Sequence, residues 1–263
     1  MTLKNGVLMC TSPVCVSVCR KGNDYYELLQ VPCGKCLECL NQKSTEWAYR
    51  IMDECKAHSD NCFITLTYEN SPGQLVRKDL TDFIKRLRKS LDFPVRVFYC
   101  GEYGSHTLRP HYHLIVFGYF PSDCVFLRRD GSDDLYRSKS IEKLWPFGFS
   151  SVGRVSLQSA KYCAKYLQKL QKIPANLIQP FIGMSNRPGI GYSAISPKSL
   201  ASDKIYHNGH YIKIPRYYLK KLEEQGYDLS DLRDIRLIRG ELSNSEKSLE
   251  RRKSNIDILN EKC

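Results

Sequence analysis

VRVFYCGEYGSHTLRPHYHLIVF, running from Val95 to Phe117, decides how the fold is read. Its outer segments, Val95–Cys100 and His111–Phe117, are rich in β-branched and aromatic residues, and the loop GEYGSHTLRP between them carries the Gly and Pro that turn a chain. The two segments are expected to pair as antiparallel strands. Alternate side chains of a strand share a face, so His111 and His113 project together, roughly 6 to 7 Å apart, while Tyr112 points the other way. Arg109-Pro110 stiffens the approach to the second strand, and the apolar run Leu114–Phe117 anchors it in a core.

Outward from this hairpin the pattern is mixed. Trp47, Ala48, Ile51, Met52 and Cys55 recur at helical spacing, and CFITLTY (Cys62–Tyr68) reads as a strand. Leu80, Phe83, Ile84, Leu87 and Leu91 mark an amphipathic helix whose basic face is solvated and which Pro94 ends. After a polar stretch at 128–139, Val152–Ser156 is expected to be a strand and Leu157–Lys172 a helix. Strands and helices do not alternate regularly, which predicts an α+β domain: a mostly antiparallel sheet with helices on one face. The organisation expected is a Cys-rich, irregular segment over residues 1–40, a main domain over 41–200, and a basic, aromatic segment with a charged helical tail over 201–263.

With 40 Lys and Arg against 28 Asp and Glu the net charge is +12, which suits a polyanionic partner. No apolar run is long enough to span a bilayer, so no membrane role is expected. No secretory signal is read at the N-terminus, so the 12 cysteines are expected in a reducing cytoplasm. No GxxxxGK[ST] loop occurs, which argues against a nucleotide cofactor.

Two constellations carry chemistry. His111 and His113 can chelate one ion, and Glu102, just past the neighbouring strand, brings a carboxylate to it if the strands form a hairpin. The competing reading is an accidental His-x-His on a half-buried strand. In YCAKYLQK (Tyr162–Lys169), Tyr162 and Tyr166 are four apart on one helix face, and Lys165 and Lys169 repeat the spacing. Phenols beside ammonium groups suit phosphoryl transfer: a nucleophile, with positive charge for phosphate oxygens. A phenol titrates near 10 and needs help to ionise, for which Lys165 is the candidate. The competing reading is two tyrosines packed on the sheet with lysines at the rim.

These residues resemble the HUH endonucleases, in particular the replication initiators of microvirus-type (gokushovirus-like) single-stranded DNA phages. HYHLIVFG (His111–Gly118) is similar to the metal motif, YCAKYLQK to the two-tyrosine nucleophile motif, FITLTY (Phe63–Tyr68) to the first motif, and PCGKCLEC (Pro32–Cys39) to a segment near the start of gokushovirus-like members. The resemblance covers roughly residues 30–195, in the family's order. It implies a sheet of about five antiparallel strands in a ferredoxin-like arrangement flanked by helices, a Mg²⁺ or Mn²⁺ ion, nicking at an origin, and rolling-circle replication in the bacterial host's cytoplasm. It makes His111 and His113 metal ligands, Tyr162 and Tyr166 nucleophiles, and Glu102 a less constant third ligand, with Gln168 a distant substitute. Single-stranded or origin DNA is the implied partner, and a host helicase and polymerase would supply unwinding and synthesis. Rival readings are a relaxase or transposase of the same chemistry, a zinc-stapled nucleic-acid-binding module without catalysis, and a metal hydrolase of small molecules.

Cys33, Cys36 and Cys39 form CxxCxxC, which a fourth thiolate from Cys10, Cys15 or Cys19 would complete as a zinc site. Iron–sulfur ligation and metal-free thiols are the alternatives. Cys55, Cys62, Cys100, Cys124 and Cys163 read as small core residues, and His58, His106, His207 and His210 as surface histidines. The run from Tyr206 to Leu222 alternates aromatic and basic residues without a decisive reading. Arg187–Gly191 reads as a turn with no role assigned.

Overall fold

The computed structural model describes residues 10–19, 26–104, 107–131, 133–165, 173–197, 200, 204–207 and 209–243. The elements in chain order are β1 (Val14–Cys19), β2 (Tyr26–Val31), α1 (Leu37–Lys56), β3 (Asn61–Thr67), α2 (Arg77–Ser90), β4 (Arg96–Tyr103), β5 (Pro110–Phe117), β6 (Cys124–Asp130), β7 (Asp133–Ser138), α3 (Lys139–Leu144), β8 (Ser150–Arg154), α4 (Leu157–Lys165), β9 (Phe181–Met184), β10 (Lys204–His207), β11 (His210–Lys213), α5 (Arg216–Glu224) and α6 (Ser230–Ser243). They divide into two compact units, residues 44–194 and residues 1–43 with 195–263.

The larger unit is built on a seven-stranded sheet in the order β6-β7-β8-β3-β5-β4-β9, antiparallel throughout. Five strands were expected. The β6–β7 hairpin is hidden in sequence because CVFLRRD is exposed along almost its whole length and so shows no inward–outward alternation. β9 is only four residues long.

Strand alternation assigns each residue of the centre to one of two cores. Cys62, Ile64 and Leu66 of β3, with Tyr112, Leu114 and Val116 of β5, meet Leu80, Phe83, Ile84 and Leu87 of α2 and Ile141 of α3. On the opposite face Phe98 and Cys100 of β4, with Ile115 and Phe117 of β5, meet Ala48 and Ile51 of α1 and Ala160 and Cys163 of α4. Helices therefore cover both faces, not one. The period-2 run of β5 stays apolar on either side, as a doubly covered strand must.

Register in the centre is set by β5. Glu102 lies opposite His111 and Cys100 opposite His113 across the β4–β5 pair, while Thr65 and Thr67 of β3 lie opposite His113 and His111. From the other face the Tyr112 hydroxyl donates to the Val76 carbonyl oxygen (3.0 Å), accepts from the Val76 N–H (2.7 Å) and lies 2.9 Å from the Tyr68 hydroxyl. Tyr68 in turn donates to Asp79 (2.7 Å).

The segment after β9, without an assigned role in sequence, is clasped to α1. Arg50 donates to the Ile190 carbonyl oxygen (3.0 and 3.2 Å), and the buried Glu54 carboxylate accepts the Gly191 N–H (2.7 Å) and pairs with Arg96 (2.6 Å). Ile190 is buried in the α1–α4 core.

The second unit holds two hairpins, β1–β2 and β10–β11, and α5 and α6. The first forty residues are thus not irregular: β1 and β2 pair over six positions, and α1 begins already at Leu37. Cysteines replace the usual apolar residues in β1 (VCVSVC), which obscures its period. Ile214, Tyr218 and Leu232 form a small core here. Among the described residues no helix is long and apolar enough to cross a membrane.

Candidate metal centre and nucleophile

Because 98, 100 and 102 share a face of β4, Glu102 emerges just past the apolar pair Phe98 and Cys100, on the side of α1 and α4. His111 and His113 emerge on the same side of β5. Oε1 of Glu102 lies 2.7 Å from His111 Nε2 and 2.9 Å from His113 Nε2, and the Tyr162 hydroxyl of α4 donates to the same oxygen at 2.8 Å. The His113 ring stands edge-on to both His111 and Tyr162, with centroids 5.0 Å away in each case.

The free ring nitrogens are also held. His113 Nδ1 lies 3.0 Å from Thr65 Oγ1 and His111 Nδ1 lies 3.2 Å from the Arg109 carbonyl oxygen. Phe63 stacks on His113 at 5.3 Å. Thr65 and Phe63 did not emerge from sequence reasoning, although FITLTY carries both. Pairing β3 with β5 supplies the missing signal, since Thr65 then falls opposite His113. Arg109 donates to the carbonyl oxygen of Glu69 (3.1 Å), which ties the approach to β5 to the end of β3.

Burial shapes the electrostatics. For Glu102, only 1% exposed, burial opposes ionisation, but hydrogen bonds from His111 and His113 outweigh it and hold the carboxyl at about 2. Burial also works against the charged form of both histidines. It prevails at His113, which is pushed down, whereas the Glu102 carboxylate prevails at His111, which is raised. Tyr162 is raised, first by burial and then by the adjacent Glu102 charge. It remains 41% exposed, so its ring borders solvent.

Glu102, His111 and His113 each offer a ligand atom within 4.8 Å of the others. The donor set fits a divalent cation: two imidazole nitrogens and a carboxylate, with Glu102 Oε2 buried and lacking a hydrogen-bond partner. Lys165 is exposed on α4. Tyr166 and Lys169, with Gln168, lie outside the described residues.

A second cluster lies in the other unit. Cys10, Cys33, Cys36 and Cys39 bring their sulfurs within 4.8 Å of one another, with Cys10 and Cys36 3.8 Å apart. The Cys33 sulfur accepts the N–H groups of Lys35 (3.4 Å) and Cys36 (3.3 Å), which lower its thiol to about 6. Burial raises Cys10 and Cys39. Cys10 supplies the fourth sulfur; Cys15 is exposed, and the side chain of Cys19 lies outside the described residues. Cys62, Cys100 and Cys163 are buried and Cys55 and Cys124 partly so. His58 is not a surface residue: it is half-buried, 3.4 Å from Glu54. His106 and the side chains of His207 and His210 lie outside the described residues.

The fold and this site define an α+β protein whose antiparallel sheet carries a Glu-His-His cluster capable of binding a metal, beside a helix-borne tyrosine. Residues 61–171 match the family model of the replication-associated protein ORF2, and the segment bearing the cluster belongs to that family. The chain is 29% identical over 223 residues to "Replication-associated protein ORF4" of Chlamydia phage 1, covering 75% of this chain and 56% of that protein. It is 29% identical over 232 residues to "Replication-associated protein ORF2" of Spiroplasma virus 4, covering 75% and 69%. To "Replication-associated protein VP4" of Bdellovibrio phage phiMH2K it is 35% identical over 151 residues, covering 52% and 48%. The chain thus spans roughly half to two thirds of the length of these relatives. No solved structure matches it.

Proposed function

We propose that the chain is a rolling-circle replication initiator of a microvirus-type phage, which nicks and rejoins DNA through a tyrosine with the aid of a divalent metal. The observation that carries the reading is the convergence of His111, His113 and the Tyr162 hydroxyl on one oxygen of Glu102. A nucleophile and three ligands lie within one hydrogen-bond length of a common point, and the family match supports the reading.

A Mg²⁺ or Mn²⁺ ion held by Glu102, His111 and His113 would supply Lewis acidity to a phosphate oxygen and offset the charge of Glu102. The chain's residues do the rest. Tyr162, bordering solvent, presents its oxygen to the scissile phosphorus. The phenolic O–P bond forms as the P–O3′ bond breaks, the phenol's proton is lost, and the departing 3′-oxygen takes one up. A 5′-phosphotyrosine and a free 3′-hydroxyl result, from which synthesis could start. Because the phosphotyrosine conserves the diester, a later attack by a 3′-hydroxyl reseals DNA without a nucleotide cofactor. Tyr166, one turn on in sequence, is the second nucleophile, and Lys165 and Lys169 contribute charge for phosphate oxygens. Origin DNA is the partner, with host helicase and polymerase, and the host cytoplasm is the setting. We further infer that Cys10, Cys33, Cys36 and Cys39 hold a structural Zn²⁺, a reading supported by four sulfurs within tetrahedral reach and N–H donors aimed at Cys33.

The test is to incubate the chain with Mn²⁺ and a pool of randomised single-stranded oligonucleotides, denature, and recover covalent adducts. Adducts on Tyr162 or Tyr166 peptides are expected, reduced in Tyr162→Phe and in Tyr166→Phe and absent from the double variant. An adduct surviving the double change, or none with wild type, overturns the reading.

A further inference from the structure

The β10–β11 hairpin has two unlike faces. Its register pairs Lys204 with Lys213, Ile205 with Ile212, and Tyr206 with Tyr211. Alternation puts Ile205 and Ile212 on one face and both tyrosines and both lysines on the other. Ile205 packs on the core of Ile214, Tyr218 and Leu232, so the tyrosine face is the outer one. Tyr206 is 66% and Tyr211 69% exposed, with ring centroids 5.3 Å apart and planes at 65°.

Two adjacent aromatic rings held out of a core gain nothing from burial, and the edge-to-face contact between them, about 0.5–1.5 kcal/mol, fixes their spacing. Aromatic faces at this separation between lysines are what a flexible polyanion with planar bases recognises: stacking on the rings, phosphates on the ammonium groups. Opposite charge on this basic chain, at +12 overall, favours the same occupant.

We propose that the outer face of the β10–β11 hairpin is a stacking platform for single-stranded DNA, separate from the Glu102–His111–His113 cluster. The choice of DNA rests on the replication reading; the platform itself does not, because stacking and phosphate contacts need neither metal nor nucleophile.

The experiment measures equilibrium binding of the full chain to oligo-dT in EDTA, where no cleavage proceeds. Stacking is worth about 1–3 kcal/mol per base, so Tyr206→Ala and Tyr211→Ala are each expected to weaken binding by roughly 5- to 150-fold. The corresponding Phe variants retain it. The salt dependence of binding stays unchanged in the tyrosine variants, whereas Lys204→Ala with Lys213→Ala lowers its slope by about 0.7 for each phosphate no longer neutralised. In wild-type protein, 5-iodouracil in the oligonucleotide should photocross-link to the 204–213 peptide, a result that needs no variant to fold. Affinity within two-fold of wild type in the double alanine variant, or cross-links only elsewhere, overturns the platform. A change of oligomeric state in the tyrosine variants at constant DNA affinity makes the face an interface between copies and overturns it as well. Tighter binding of oligo-rU than oligo-dT, lost with the tyrosines, would overturn the choice of DNA. Adduct formation by the tyrosine variants at saturating DNA is expected to be intact, so failure here and failure of the nicking reading are distinguishable.

Discussion

Thr65→Val isolates the support behind the proposed metal centre from the centre itself. Thr65 Oγ1 sits 3.0 Å from His113 Nδ1, and His113 Nε2 faces Glu102. With Nε2 free as a ligand, Nδ1 carries the proton and donates it to the threonine, which fixes tautomer and ring orientation together. Valine keeps the branched shape that suits β3 and removes only the acceptor. Removing such a partner typically weakens metal binding 10- to 100-fold, or about 1.4–2.8 kcal/mol at 1.4 kcal/mol per tenfold. The global cost should be smaller, about 0.5–1.5 kcal/mol for one neutral hydrogen bond, and valine's strand preference offsets part of it. Calorimetric titration with Mn²⁺ should show the weaker affinity. Nicking as a function of Mn²⁺ should shift along the metal axis by the same factor and recover its full rate at saturation. Thr65→Ser should restore both. A folded Thr65→Val protein that binds Mn²⁺ as tightly as wild type would refute the reasoning, because His113 would then need no partner at Nδ1.

Further predictions address the scaffold and the cysteines. A Cβ on Gly148 would run into the backbone of Glu69 and Tyr68 and lie 2.5 Å from the Thr67 carbonyl oxygen, so Gly148→Ala must displace backbone and should cost about 1–3 kcal/mol in urea unfolding; an unchanged midpoint would contradict the close approach. Glu54→Leu removes the acceptor of the Gly191 N–H and the partner of Arg96, both in a buried setting, and should destabilise by roughly 3–5 kcal/mol; a stability equal to wild type would show that the clasp on α1 is dispensable. Purified chain should contain one equivalent of zinc by elemental analysis, Cys36→Ser should lose it, and chelation should lower the melting temperature. Metal-free wild type with an unaltered melting temperature would exclude the zinc.

Much of the fold was legible because its rules are local. CFITLTY, VRVFYC and HYHLIVF became β3, β4 and β5, since each shows enough branched and aromatic residues to declare a strand. The α2 helix was legible from the spacing of Leu80, Phe83, Ile84 and Leu87. The same rules explain why Glu102, His111 and His113 could be grouped in advance: alternation and hairpin register are fixed by the strands themselves. What stayed hidden depends on partners distant in sequence. Thr65 reaches His113 only through the β3–β5 pairing, 48 residues apart, and Ile190 and Gly191 meet Arg50 and Glu54 across about 140 residues. The β6–β7 hairpin gave no periodic signal because neither face of β6 is buried. β10–β11 carried its signal in Asn208-Gly209, a turn-forming pair between alternating segments, and Gly209 adopts φ +85° there.

The division of labour along β5 explains how one strand can hold a site in place. His111 and His113 point to the α1–α4 side, while Tyr112 between them is fastened on the other by the main chain of Val76. A slip of one residue would turn both imidazoles into the α2 core and expose the tyrosine, so the Tyr112 bonds oppose the error that would destroy the cluster. The same bonds fix where His111 and His113 emerge relative to Glu102, which leaves only side-chain rotation to be settled. Thr65, Phe63 and the Arg109 carbonyl oxygen restrict that rotation. Ligands held this way are in position before an ion arrives, and the binding free energy is not spent on ordering them. Tyr162 differs: it comes from a helix rather than from the sheet and reaches Glu102 from a half-exposed position. A rigid ligand set beside an accessible phenol is the arrangement expected of a nucleophile that must leave Glu102 to attack, carry a DNA end, and return.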